Sequence, residues 1–335
     1  MCFVYDRILW ASEPLQSIVE AHLLGCKAGQ QSGDFVYGFY NQQLAIVTNY
    51  VAGQSLDIIQ RMILDFISSL HSHGVDILIR APILLLSHIT ALKDEMPISR
   101  TQLHNMPSGD EILADAKSGP SVLAHGKLLH LIRAFLFRRV SDASSNIDIS
   151  GPVDKSYHQL NPQFLMGYFF EGLTSFLLAR RSSGDTSTKW IDRGDSMLTR
   201  MRSWSEHSKW NWENEMLLLE AESMYTKGEF DRAESLFDSA IRSAHEHRFI
   251  HEEAIASELA GMFYQEMGNH QKSYLYLAHS LECYEKWGAH AVARRVGSVI
   301  RDRFGPDICQ LETGSVAPLE HLFASSQGKK RQDGE

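Results

Sequence analysis

Apolar residues recur along most of this chain at the three- and four-residue spacing of amphipathic helices. The clearest run places seven of them on one face: Leu56, Ile59, Met62, Ile63, Phe66, Ile67 and Leu70. Ser55 directly precedes this run and is a suitable helix N-cap. No stretch keeps the two-residue alternation of a half-buried strand, so the pattern predicts an all-α fold.

The most regular part of the chain runs from Trp212 to Trp287, where the sequence repeats with an offset of 40 residues. The matched positions are Leu219/Leu259, Ala221/Gly261, Met224/Tyr264, Gly228/Gly268, Ala233/Ser273, Phe237/Leu277 and Ala240/Ser280. Small residues recur where two helices would touch, and each central glycine falls where a helix must stop and turn back. The repeat predicts two consecutive helical hairpins.

The pattern divides the chain into four regions. N-terminal helical hairpins occupy 1–140, a loop 141–160, C-terminal hairpins 161–303 and a mostly disordered tail 304–335. A second loop-like stretch, at 93–120, interrupts the first region. The turn Gly33-Asp34-Phe35 is similar to Gly228-Glu229-Phe230, which predicts a third copy of the hairpin near the N-terminus.

The second hairpin of the repeat resembles the tetratricopeptide family. Gly261, Tyr264 and Gly268 have the spacing of its motif, while Ser273 and Leu277 stand where the motif has Ala and an aromatic residue. The offset of 40 residues exceeds the family's usual ~34, so we expect helices longer by about a turn. The resemblance implies a tetratricopeptide-like α-solenoid of helical hairpins.

A narrower resemblance lies in three short segments, 246–254, 257–260 and 284–289. They are similar to the helical segment of large hybrid signalling proteins. In those proteins an AAA-type ATPase module and often a protein-kinase-like domain precede the helices, and a GAF plus histidine-kinase region follows. The similarity covers most of residues 15–295. It implies a non-catalytic scaffold or regulatory region for protein–protein interaction in signal transduction, with flanking ATPase or kinase modules as further partners.

Composition narrows the class of partner and the compartment. The formal net charge is −9, from 41 acidic and 32 basic residues without a long basic block, so nucleic acid is not expected as a partner. The most apolar run, 164–179, is short and carries Glu171, which predicts a buried helix and no membrane contact. The N-terminus lacks a secretory signal pattern, and the four cysteines form no CxxC, which favours reduced thiols and a cytoplasmic location.

The sequence lacks the motifs of the catalytic modules in those hybrids. The nearest approach to a P-loop, Gly119–Lys127, has six residues between its glycines, and Leu128 follows the lysine. Gly33-Asp34-Phe35 has the letters of a kinase motif in the wrong order. The cluster His245, His247 and His251 is interrupted by a predicted turn near 248–249. We therefore expect no catalytic residue, metal or cofactor in this chain.

The motif positions predict a partner-binding groove on the first helix of each hairpin. Nine residues would face into it: Glu215, Leu218, Glu222, Tyr225, Ile255, Glu258, Met262, Gln265 and Glu266. The family's chaperone-binding members place Lys and Asn there to hold a peptide carboxylate, and this sequence does not. Glu among Leu, Met and Tyr suits a basic, amphipathic helix or peptide. The alternative is that neighbouring helices cover these residues.

Two other hypotheses remain open at the level of sequence. One is a self-contained helical enzyme with a His/Glu site between helices, which a pocket with convergent titratable groups would support. The other is a truncated fragment of a signalling kinase, since the first predicted helix begins close to the N-terminus.

Overall fold

The computed structural model describes residues 9–305, except 76–77, 97, 100, 102, 105, 140, 143–146 and 148–161. Within these ranges the chain forms helices and no strand, which confirms the predicted all-α class. Most of the predicted loop 141–160 and tail 304–335 lies outside the described residues. After a short 3-10 turn at Leu9–Ala11, the helices are α1 (Leu15–Ser32), α2 (Phe35–Val51), α3 (Leu56–His73), α4 (Arg80–Lys93), α5 (Gly109–Ala114), α6 (Pro120–Leu136), α7 (Pro162–Arg180), α8 (Gly184–His207), α9 (Lys209–Thr226), α10 (Phe230–Glu246), α11 (Ile250–Glu266), α12 (His270–Trp287) and α13 (His290–Phe304).

Helices α7 to α12 pack as three consecutive hairpins. α7 pairs with α8, α9 with α10, and α11 with α12. The second helix of each pair also contacts the helix that follows it, so α8 touches α9, α10 touches α11, and α12 touches α13. The first helices α7, α9 and α11 contact one another in turn and form a row.

Small residues allow the helices of one hairpin to approach closely, as the repeat predicts. A Cβ on Gly261 would lie 2.7 Å from Leu277 Cγ of the partner helix, closer than real side chains pack. Ser273 and Ser280 are fully buried, and their hydroxyls donate to the carbonyls of Gly261 and Ala254 at 2.8 Å. These serines replace the alanines of the first hairpin and join α12 to α11 through hydrogen bonds.

Three of the turns share one backbone conformation. The glycine has a φ of 76° at Gly33, 82° at Gly228 and 74° at Gly268. The residue after each glycine has a φ of −89°, −86° or −89° and precedes the first residue of the next helix. Glycine adopts positive φ without steric cost, which explains why it recurs. The turn at Gly33 therefore has the same backbone conformation as the turns at Gly228 and Gly268.

Two helix boundaries differ from the sequence expectation. Helix α5 lies in the stretch 93–120 that was expected to be a loop. A capping box starts it, because Ser108 N–H donates to Glu111 Oε2 at 2.8 Å and Glu111 N–H donates to Ser108 Oγ at 3.3 Å. The apolar spacing predicts the helix that follows α7 only from Ile191, but α8 begins at Gly184, since its exposed first two turns carry few apolar residues to mark them.

Helix α7 contains the most apolar run of the sequence and is a buried core helix, as expected. Its acidic residue Glu171 is buried and accepts a hydrogen bond from Arg193 Nε at 2.8 Å. The ion pair explains how a carboxylate is accommodated among Phe and Leu side chains. None of the helices in the described part of the chain is both long and apolar enough to cross a membrane.

The N-terminal helices pack against the hairpins and share one hydrophobic core with them. Asn211 at the start of α9 is fully buried and accepts a hydrogen bond from Leu15 N–H at 3.0 Å. Its amide group also donates to the carbonyl of Trp10 at 2.8 Å. The Trp10 ring meets the Trp212 ring edge-on, with centroids 5.7 Å apart. The two helical regions predicted from the sequence are thus continuous in the core.

The turn between α2 and α3 lies against the first turn of α11. Gly53 in this turn has a φ of 74°, and a Cβ there would lie 2.5 Å from Nδ1 of His251. Gly33 has the same backbone conformation but faces open space. Substitution of Gly33 therefore tests the cost of a side chain at positive φ alone, whereas substitution of Gly53 adds the cost of a steric clash with His251.

We expect Gly33→Ala to lower the free energy of unfolding by about 1–2 kcal/mol, because Ala is strained at positive φ. Gly53→Ala should lower it by at least about 1 kcal/mol more, since the added methyl group also displaces His251. Urea denaturation of the two variants and the wild type measures the difference. Equal losses would show that the α2–α3 turn does not press on α11.

Candidate functional site

The predicted groove residues lie on α9 and α11, but most of them are covered. Six are buried in the structure: Glu215, Leu218, Glu222, Tyr225, Ile255 and Glu258. Met262 and Gln265 are half-buried, and Glu266 is exposed. In this structure neighbouring helices cover the six buried side chains, so these residues do not form an open groove.

Glu258 forms the centre of a buried charge cluster. Arg138, just after α6, donates from Nε to Glu258 Oε1 at 2.9 Å. Arg295 of α13 donates from Nη2 to both carboxylate oxygens at 2.8 Å. The hydroxyl of Tyr284 on α12 donates to Oε2 at 3.0 Å. One carboxylate therefore joins four helical segments, from α6, α11, α12 and α13.

The arginines keep Glu258 ionised. Burial alone would raise the pKa of Glu258, but the charges of Arg138 and Arg295 outweigh burial and lower it. Burial would lower the pKa of Arg138, but the charge of Glu258 outweighs it and raises that pKa. Both carboxylate oxygens accept from cationic or hydroxyl donors, so Glu258 is suited to holding helices together and poorly suited to taking a proton.

The backbone after α6 is shaped to bring Arg138 into this cluster. Arg138 has a φ of 57°, an uncommon value for a residue with a side chain. Its guanidinium lies over the ring of Phe135, 4.6 Å from the centroid. The turn ends the helix, with Arg139 N–H donating to the Ala134 carbonyl at 2.8 Å, and Arg138 reaches Glu258 on α11 from it.

Glu222 lies in a second ion pair on the row of first helices. Arg180, at the end of α7, donates from Nη2 to Glu222 Oε2 at 2.6 Å and from Nη1 to Thr226 Oγ1 at 2.8 Å. Its guanidinium also lies over the Tyr225 ring, 4.3 Å from the centroid. The Tyr225 hydroxyl donates to Glu266, which links α9 to α11.

Glu215 faces a second buried acid, Glu252. Burial raises the pKa of Glu215 to about 8, and its hydrogen bond with Glu252 offsets only part of that effect. Burial, together with the nearby Glu215, raises the pKa of Glu252 well above its usual range. Asn214 also donates to Glu252. The pair is therefore protonated near neutral pH, which removes the repulsion of two buried carboxylates.

Two of the three histidines that cluster in the sequence, His247 and His251, lie in different surroundings. Arg248, with a φ of 65°, forms the predicted turn between His247 and His251. His247 lies beside the Trp210 ring at 4.5 Å between centroids, while His251 is buried 5.3 Å from the Trp287 ring. Burial lowers the pKa of His251 to about 3, so it is neutral.

The sequence did not indicate which arginines form ion pairs with Glu258 and Glu222. Arg138 is 120 residues from Glu258, and Arg295 is 37 residues from it. Arg180 is 42 residues from Glu222. None of these separations matches a helix spacing or the 40-residue repeat, so only the packing of distant helices brings the charges together.

Replacing Glu258 with Ala should destabilise the fold strongly, because it leaves two guanidinium groups without their anion in the core. The expected loss is about 3–5 kcal/mol, as for one partner removed from a buried ion pair. Glu282→Ala provides the control, since its pairing with Lys286 at 3.8 Å is exposed and is worth less than about 1 kcal/mol. Urea denaturation monitored by circular dichroism measures both, and similar losses would contradict the role of Glu258.

Glu215→Gln should stabilise the protein at high pH. The folded state keeps the proton of Glu215 up to about pH 8, whereas the unfolded chain loses it near pH 4.5. The wild type therefore loses stability as pH rises from 4.5 to 8. We expect the variant to match the wild type near pH 5 and to exceed it by more than about 1 kcal/mol at pH 8.

Thermal and urea unfolding at both pH values provide the measurement for Glu215→Gln. The exposed Glu285→Gln is the matched control and should show no gain that grows with pH. A constant difference between Glu215→Gln and the wild type across this range would contradict a raised pKa at Glu215.

No protein-family model matches the chain, and no curated protein is significantly similar to it.

Proposed function

We propose that this chain is a non-catalytic helical-repeat region that binds a protein partner in signal transduction. Its hairpins would be a tetratricopeptide-like array, similar to the helical segment of ATPase and histidine-kinase hybrids, acting in the cytoplasm beside such modules. Three features support the proposal: the succession of hairpins, the repeated turn, and an exposed apolar surface on the first hairpin.

The succession of hairpins supports a tetratricopeptide-like arrangement. Each hairpin packs mainly on its neighbours in the chain, and the first helices α7, α9 and α11 form a row. Small residues at the helix crossings and the repeated Gly turn occur at corresponding places in both copies. Arrays of this kind are stabilised by contacts between neighbours and offer extended surfaces to partners.

The observation that carries partner binding is the exposed apolar surface of the α1–α2 hairpin. Of the twelve exposed large apolar side chains in the described residues, six lie on this hairpin: Leu23, Leu24, Phe35, Val36, Tyr37 and Tyr40. Leu24 is 68% exposed. Tyr40 lies four residues after Val36 and three after Tyr37, so its side chain neighbours both on α2. A concentration of exposed apolar residues on one hairpin is typical of an interaction site.

The partner that suits this hairpin is a basic, amphipathic helix. Its apolar face would cover Leu24 and Tyr37, and its basic side chains would meet the exposed Glu20 and Asp34. Of the groove predicted from the motif, only Met262, Gln265 and Glu266 remain accessible in part. We therefore assign the main contact to the α1–α2 hairpin and a secondary one to these three residues.

The buried contacts would carry an effect of the partner across the molecule. The α1–α2 hairpin is tied to α9 by Asn211, and the segment after α6 is tied to α13 through Glu258. A partner that shifts the first hairpin would therefore act on α13 through packed helices. This suits a region that transmits a state between flanking modules.

The double variant Leu24→Asp/Tyr37→Asp tests the proposal. Partners would be identified by cross-linking in cells and then purified, and their affinity for the full chain measured by calorimetry. We expect the double variant to bind at least about tenfold more weakly, a loss of about 1.4 kcal/mol. Circular dichroism would confirm that it remains folded.

The control carries the same change at two exposed apolar residues outside both contacts, Ile58→Asp/Met96→Asp, and should bind like the wild type. Equal binding by a folded Leu24→Asp/Tyr37→Asp variant would exclude the first hairpin as the surface. If no purified protein binds the wild type above background, the proposed function itself is wrong.

A further inference from the structure

Four side chains that commonly bind metals meet where α10, α11 and α12 pack together. They are His245 near the end of α10, Glu253 in the first turn of α11, and His279 and Cys283 on α12. His279 and Cys283 are four residues apart, so they share one face of α12. We call this group the Glu253 cluster.

In the Glu253 cluster the carboxylate of Glu253 contacts both imidazoles, and the thiol of Cys283 lies beside one of them. His279 Nε2 lies 2.7 Å from Glu253 Oε1 and 3.6 Å from Cys283 Sγ. His245 Nδ1 lies 3.1 Å from Oε1 and 3.2 Å from Oε2 of the same carboxylate. One ligand atom each of Glu253, His279 and Cys283 lies within 4.8 Å of the other two.

These distances can be compared with those around a tetrahedral zinc ion. Zinc lies about 2.3 Å from a Cys sulfur and about 2.0–2.1 Å from a His nitrogen, so the two ligand atoms are roughly 3.6 Å apart. The observed separation of Cys283 Sγ and His279 Nε2 is 3.6 Å. Two oxygen or nitrogen ligands would be roughly 3.3 Å apart, so Glu253 Oε1 and His279 Nε2, which lie 2.7 Å apart, need to separate by about 0.6 Å.

The burial of the cluster is graded from the core to the surface. Cys283 and Glu253 are buried, the His279 side chain is 18% exposed, and the His245 side chain is 49% exposed. The thiol and the carboxylate are thus fixed by packing, while the two imidazoles line a path to solvent. A structural zinc site needs such fixed ligands together with an entry path.

Without an ion, hydrogen bonds from both imidazoles to the Glu253 carboxylate hold the cluster together. His279 Nε2 also lies beside the Cys283 thiol. A cation placed among these groups would be attracted to the carboxylate, the imidazole and a thiolate together. Sulfur, nitrogen and carboxylate ligands in one site are typical of zinc and not of calcium or magnesium.

We propose that Glu253, His279 and Cys283 bind one zinc ion, with His245 as the fourth ligand. Binding replaces the thiol proton of Cys283, which is released to solvent as the zinc–sulfur bond forms. The ion would fix the end of α10 and the start of α11 against α12. This site is independent of the proposed partner surface on α1–α2, and either proposal can fail without the other.

Cobalt titration of the purified full chain tests the zinc site. Co²⁺ takes the tetrahedral place of Zn²⁺ and gives a visible spectrum together with a thiolate charge-transfer band. We expect one Co²⁺ per chain with both features, and displacement of Co²⁺ by one equivalent of Zn²⁺ but not by Mg²⁺. Zn²⁺ should also raise the melting temperature, and a chelator should reverse the rise.

The four cysteines provide a matched pair of variants. Cys283→Ser should abolish the charge-transfer band, whereas Cys2→Ser/Cys26→Ser/Cys309→Ser, which keeps only Cys283, should retain it. His279→Gln should weaken Co²⁺ binding at least about tenfold. Circular dichroism without metal shows whether each variant folds.

Three outcomes would overturn the zinc site. The first is a charge-transfer band that persists in folded Cys283→Ser, which would place the ion on another thiol. The second is loss of the band in the triple-serine variant. The third is the absence of tetrahedral Co²⁺ binding by the wild type at one equivalent.

Discussion

The structure depends on the neutralisation of a carboxylate, Glu258, in the middle of its core. Arg138 and Arg295 reach this group from opposite parts of the chain, and Tyr284 completes its hydrogen bonds. A buried ion is costly unless every partner is in place, so the positions of the segment after α6 and of α12 and α13 depend on each other. Glu222 with Arg180 and Glu171 with Arg193 repeat this solution elsewhere in the same core.

Local chemistry made much of the fold predictable. The Gly turns and the apolar spacing placed most helices to within a few residues, because these features act within a few residues of sequence. Ser55 occupies the N-cap position of α3, although its side chain accepts no capping hydrogen bond. Helix α5 was missed because its single turn is defined by a capping box and too few apolar positions to show a period. The beginning of α8 was missed because that part of the helix is exposed.

The side chains that surround the predicted groove residues could not be predicted from local sequence patterns. Helical spacing placed Glu222 and Glu258 correctly on the first helices of their hairpins but could not show what covers them. The spacing of His279 and Cys283 was visible in the sequence, yet Glu253 and His245 join them only because α10 and α11 pack there. A repeat predicts how neighbouring hairpins pack and is silent about distant helices that lie across them.

The bonds from Asn211 to Trp10 and Leu15 also set the order in which the molecule can fold. Each bond closes a loop of about two hundred residues, while the hairpins close loops of a few residues. The entropy of loop closure therefore favours formation of the hairpins before the first helices dock on α9. During synthesis α1 emerges long before α9 exists, so its inward face, with Leu15 and Ile18, remains without a binding surface until more than half of the chain has been translated.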